Sequence, residues 1–107
     1  MSLTYDGYEL LELFCSEPNI IDKDAEIFTY NFEDKHGFLF KLYFSVYDER
    51  ATVRLENKDL ENPVFDIELS NVKKIKADSE KLSIYLREDK EVRIYFKPSF
   101  TLDIDLP

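Results

Sequence analysis

After Pro18 the apolar residues of this chain recur at every second position, and they do so almost to its last residue. A period of two places them on one face of a pleated strand, so the sequence predicts sheet from about residue 25 onward. Phe28, Tyr30 and Phe32 mark a first strand. Phe38, Phe40, Leu42, Phe44 and Val46 mark a longer second one, with Leu39, Lys41, Tyr43, Ser45 and Tyr47 on its opposite face. The alternation returns in Ala51, Val53 and Leu55, then in Phe65, Ile67 and Leu69. It continues in Leu82, Ile84 and Leu86, in Val92, Ile94 and Phe96, and in Phe100, Leu102, Ile104 and Leu106. Residues 71 to 77 read two ways, since Val72 and Ile75 are three apart while Lys73, Ile75 and Ala77 alternate. A bulged continuation or a short extra strand is expected there.

The connections between these runs are short. Asp34-Lys35-His36-Gly37 reads as a hairpin loop in which Gly37 supplies a positive φ. Asp48 to Arg50, Asn57 to Pro63, Asp78 to Lys81 and Glu88 to Glu91 read as further turns. Parallel neighbours need crossovers of about a dozen residues or more, which these turns do not provide, so sequential antiparallel hairpins are expected.

Only before Pro18 is the apolar period helical. Asp6 and Glu9 have capping-box spacing, and Leu10, Leu11, Phe14 and Cys15 form one stripe. A helix over about residues 7 to 16 follows, ended by Pro18, with a loop from Asn19 to Asp24. The expected fold is therefore mainly β (α+β), a single domain over residues 1–107. One N-terminal helix packs on a strongly twisted antiparallel meander or partly rolled sheet of six to eight strands. Its core should include Phe14, Phe40, Leu42, Phe44, Val53, Ile67, Ile84 and Ile94.

Composition agrees with sheet: nine Phe and seven Tyr suit a half-buried pleated surface. The balance of 23 acidic against 14 basic residues gives a net charge of −9. That field favours a basic partner and weighs against nucleic acid. The single cysteine permits no internal disulfide, which points to a reducing, cytoplasmic setting. No apolar run approaches the roughly 18 residues of a membrane span, and no signal peptide is recognisable, so no membrane association is expected.

Catalytic inventories are thin, and no catalytic residue, metal ligand or cofactor is assigned. His36 falls in a hairpin tip and Cys15 on the helix's apolar stripe, where a buried, inert thiol is expected. With only Gly7 and Gly37, no glycine-rich phosphate loop can form. Asp66 with Glu68, Asp103 with Asp105, and Asp22 with Asp24 and Glu26 are carboxylate pairs or alternations of the kind any acidic β-protein carries. One constellation stands apart. The wet strand faces hold Lys41, Tyr43, Tyr47, Arg54, Tyr85, Arg87, Arg93, Tyr95 and Lys97, and Tyr and Arg are the residues enriched at protein interfaces. Tyr43, Tyr47, Arg54, Tyr85, Arg87, Arg93 and Tyr95 are the candidate protein-binding residues; if this face is an interface, Tyr43, Tyr85, Arg87, Arg93 and Tyr95 are expected to lie together. The competing expectation is a cross-strand ladder of Arg–carboxylate pairs.

These features fit a small acidic, non-enzymatic protein-binding module, such as an inhibitor or immunity-type protein that covers a basic protein partner. A self-associating homo-oligomeric subunit is the alternative. A carboxylate-based hydrolase or carbohydrate binder ranks lower, since the chain has no Trp to stack on a sugar.

Overall fold

The computed structural model describes residues 2–105 of the chain. It opens with β1 (Thr4–Tyr5) and α1 (Gly7–Phe14), followed by β2 (Asn19–Asp22), β3 (Ile27–Glu33), β4 (Phe38–Ser45), β5 (Arg50–Asn57) and β6 (Phe65–Leu69). Then come β7 (Val72–Ala77), β8 (Lys81–Leu86), a 3-10 turn at Arg87–Asp89, β9 (Glu91–Tyr95) and β10 (Thr101–Asp105). The fold is mainly β with one short N-terminal helix, as the change of period implies. The strands form two five-stranded sheets, ordered β2-β3-β4-β5-β6 and β1-β7-β8-β9-β10.

In the first sheet every inward position is apolar and in register. Phe28, Phe44, Ala51 and Leu69 line up across the strands, as do Tyr30, Leu42, Val53 and Ile67, and then Phe32, Phe40, Leu55 and Phe65. The second sheet answers with rows of Ile75, Ile84, Val92 and Ile104, and of Ala77, Leu82, Ile94 and Leu102. Apart from Ile104, which is 41% exposed, both sets join one apolar core with Leu10, Leu13 and Phe14 of the helix. Phe96 sits where the three parts meet, with ring centroids 5.1 Å from Phe40, 5.3 Å from Phe32, 5.4 Å from Phe14 and 4.9 Å from Phe100. Tilted and edge-on contacts of this kind add to simple area burial.

Several local expectations hold. Asp6 caps α1 by accepting the Tyr8 N–H at 2.9 Å. Asp34 accepts the His36 and Phe38 N–H groups, each at 2.9 Å, and Gly37 closes the hairpin at φ 85°. A Cβ on Gly37 would also run into the Lys58 side chain. Residues 72–77 form a strand whose register with β8 shifts between Val72 and Lys74, so the mixed signal reflects a bulge.

Other expectations are corrected. The helix ends at Phe14 rather than near residue 16: Cys15 turns left-handed at φ 57° and its N–H bonds the Leu11 carbonyl at 2.8 Å. Cys15 is therefore exposed, and the buried stripe is Leu10, Leu13 and Phe14, with Leu11 only half-buried. Glu9 does not fold back on the cap; its carboxylate accepts the Ala77 N–H of β7 at 3.0 Å. The segment after Pro18 is not all loop, because β2 adds to the edge of the first sheet beside β3. Not every pairing is antiparallel: β1 runs parallel to β7, the whole first sheet serving as its crossover. Ile67 is only half-buried because β6 is an edge strand. Leu3, which the alternation assigns no place, is buried and donates its N–H to the Val46 carbonyl at 3.1 Å. Leu106 lies outside the described residues. Among those residues no helix is long and apolar enough to cross a membrane.

Two measurements check this arrangement. Phe44 is fully buried, so Phe44→Ala should lower stability by about 3–5 kcal/mol in denaturant titration; a loss under about 1 kcal/mol contradicts the packing. Cys15 should react with a thiol reagent in the native protein as fast as in a short peptide, whereas a strong dependence on denaturant would return it to the core.

Candidate functional site

The candidate binding residues do not form one patch. Both sheets turn their apolar faces inward onto a common core, so their outer faces point away from each other. Tyr43, Lys41 and Arg54 lie on the outer face of the first sheet, and Tyr85, Arg93 and Tyr95 on that of the second. Tyr47 and Arg87 lie apart from both, at one end of the molecule. Tyr47 sits in the turn between β4 and β5, and Arg87 in the 3-10 turn pairs with Glu49 of that same turn at 3.0 Å. The chain passes from one sheet to the other at Ser70 and Asn71, and period-two alternation carries no record of that passage.

The arginines on these faces are already engaged. Arg54 bonds Glu56 at 2.6 Å and Asp66 at 2.8 Å, while Lys41 approaches the same Glu56 carboxylate at 3.7 Å. Arg93 bonds Asp103 at 2.8 Å and Glu91 at 3.3 Å. Hydrogen bonding from Arg54, with Lys41 close by, holds the Glu56 carboxyl below its ordinary range. The two guanidiniums are in turn held above theirs by Glu56 and Asp103 respectively. Asp66 and Asp103, considered for acid–base or metal chemistry, are thus spent on the ladders; the Asp105 side chain lies outside the described part. Tyr95 lies under the Lys81 ammonium, 5.8 Å from the ring centroid. Tyr43 and Tyr47 remain substantially exposed. Among the described residues no three His, Cys, Asp or Glu side chains are grouped to hold a metal.

Beside Tyr43, a hollow of about 340 Å³ runs along Ser45, Asp48, Arg50 and Glu68. The buried Ser45 hydroxyl donates to Asp48 at 3.0 Å, which fixes the turn that carries Tyr47. Tyr47 is also tied to Glu26, which raises its phenol's pKa through a hydrogen bond and its charge.

A larger groove, about 600 Å³, escapes the alternation entirely. It lies between the start of α1 and the β2–β3 edge, lined chiefly by Tyr5, Tyr8, Leu11, Glu17, Phe28 and Tyr30, with Asp6 at the helix cap. Its signal in the sequence is dispersed. Tyr5, Tyr8 and Glu17 precede the sheet, and Tyr30 reads as an ordinary core position. Only the unusual density of tyrosine around the one helix could have pointed to it.

The Glu56 ladder predicts a pH dependence. A carboxyl whose folded pKa is depressed adds stability that is present above its unfolded value, near 4.5, and lost as pH falls through the lower folded value. Glu56→Gln should therefore flatten the acid limb of the denaturation midpoint plotted against pH, and an unchanged limb would show the ladder to be thermodynamically silent.

No family model matches the chain, and no curated protein matches it by sequence. Its fold is similar to that of a chain in a solved contact-dependent growth inhibition toxin–immunity protein complex from Klebsiella pneumoniae 342, at a TM-score of 0.78 and 20% sequence identity over 95% of each chain.

Proposed function

We propose that this chain is an immunity-type protein: a small acidic module that binds a basic toxin domain and blocks it without chemistry of its own. The observation that carries the reading is the shared fold along 95% of both chains with a component of a toxin–immunity complex. Charge and residue inventory select the immunity role over the toxin role. A net charge of −9 opposes approach to phosphate backbones and favours approach to a basic protein surface. The sole His36 is an exposed residue of a hairpin tip, and the sole Cys15 an exposed helix terminus, so neither is held in a cleft beside a partner group. A domain with one free thiol and no bridge suits the reducing cytoplasm, where an immunity protein would meet an incoming toxin.

Tyr43, Tyr47, Tyr85 and Tyr95 remain candidate contacts, on two faces and one end rather than on one surface. Because steering between opposite charges acts mainly on the association rate, the complex should form more slowly as salt rises.

Where a toxin domain is encoded next to this chain's gene, growth of cells producing that domain should be restored by co-expression of the chain. The purified pair should bind one to one, with association slowed at high ionic strength. Undiminished killing at equal expression, together with no heat of binding in calorimetry, would overturn the proposal.

A further inference from the structure

The groove beside α1 is built from groups that select for positive charge. Tyr8 stands at its rim, 85% exposed, in the first turn of the helix. Tyr30 forms the floor: only 3% of the residue is exposed, and Phe14 and Phe44 pack against its ring with centroids 5.2 and 6.2 Å away. Burial, with Tyr5 and Glu17 alongside, pushes the Tyr30 phenol up to about 12, so it stays neutral and keeps an oxygen able to accept a hydrogen bond. Tyr5 is raised in the same way, by burial and then by Glu26.

Asp6 is committed to the helix cap and offsets the positive end of α1. Glu17 has no such duty, and no basic residue lines the groove. Ile20 pairs with Phe28 across β2 and β3, so its side chain lies on the groove's side of the sheet, where it is 58% exposed. An aliphatic stem laid along Ile20, Phe28 and Leu11 would carry its charged end to the exposed ring of Tyr8. Aromatic faces attract cations more strongly once both are shielded from water, and a carboxylate at the same place adds direct pairing. An anionic side chain would meet Asp6, Glu17 and the negative face of the Tyr8 ring, and would be repelled.

We infer that this groove seats an arginine or lysine side chain of a protein partner, held against the exposed ring of Tyr8 and paired with Glu17. The partner's identity as a toxin rests on the immunity reading; the groove's preference for a cationic side chain does not.

Two experiments separate those claims. The first titrates isotope-labelled protein with the peptide acetyl-Gly-Arg-Gly-amide, up to about 20 mM to allow for weak affinity. Resonance shifts should cluster at Tyr5, Tyr8, Glu17, Phe28 and Tyr30, and should shrink in Glu17→Gln and with the neutral citrulline peptide. Equal shifts with citrulline, shifts scattered over the acidic surface, or none at all would overturn the inference. The second measures affinity for the toxin domain used in the growth-rescue test. Tyr8→Ala and Glu17→Gln, both at exposed positions that spare the fold, should each weaken binding about tenfold. Leu60→Ser, at an exposed site in the β5–β6 loop, should leave it unchanged. If the wild type binds and both groove variants bind as tightly, the groove is not the docking site and the inference falls alone. If the wild type fails to bind, the immunity reading falls and the peptide titration still decides the groove.

Discussion

The two sheets share a core because Phe96 and Phe40 meet, their ring centroids 5.1 Å apart. Phe96 follows β9 and Phe40 lies in the middle of β4, so this contact bridges the two sheets, as Tyr5 of β1 and Phe44 of β4 do at 5.0 Å. Phe14 reaches both rings from the helix, and Phe32 and Phe100 close around them. A sheet with one apolar face is not stable in water by itself; it needs a second layer to cover that face. Here each sheet is the other's cover, and the phenylalanines are thick enough to fill the gap of about 10 Å between stacked sheets. The outer ladders of Arg54 and Arg93 organise surface charge, but exposed ion pairs contribute little to stability beside such a core.

The inward rows were legible because alternation is a geometric consequence of the pleat. Phe40, Leu42, Phe44, Val53, Ile84 and Ile94 are all buried where the pattern put them. What alternation cannot encode is which sheet a strand joins. Nothing around Ser70 and Asn71 distinguishes a corner between sheets from a hairpin within one, although Asn71 takes a left-handed conformation at φ 58°. Short elements were also silent. A two-residue strand such as β1 has no period, and β2 is exposed on every residue, so neither produces an apolar stripe. Cys15 was misplaced by extrapolating a helical stripe one residue past the point where the backbone turned left-handed.

The candidate site shows the same division. Tyr43, Arg54, Tyr85, Arg93 and Tyr95 lie on outer strand faces as the alternation implies, whereas Tyr47 and Arg87 fall in turns. The faces themselves point apart, and Arg54 and Arg93 are satisfied by Glu56, Asp66, Glu91 and Asp103 within the fold. The groove was invisible for the opposite reason. Its residues come from a strand of two residues, a helix, a loop and a core row, and only tertiary packing assembles them. A residue such as Tyr30 can be packed in the core and still line a groove, a double role that a pattern of inside and outside does not represent.

The segment before α1 and the helix itself bind to parts of the chain made much later. Leu3 donates to Val46, Thr4 and Tyr5 run beside Lys74 and Ile75, and Glu9 accepts from Ala77, 68 positions further on. On the ribosome these residues emerge before β7 and must wait, because the strand that receives them has not yet been synthesised. The first sheet can form from local hairpins, but the second lacks its β1 edge, and the helix lacks its anchor, until β7 is in place. Contacts of such long sequence separation are slow to form, so locking down the beginning of the chain belongs among the last events of folding. During that interval the tyrosine-rich groove does not exist, and a partner that recognises it would discriminate finished molecules from nascent ones.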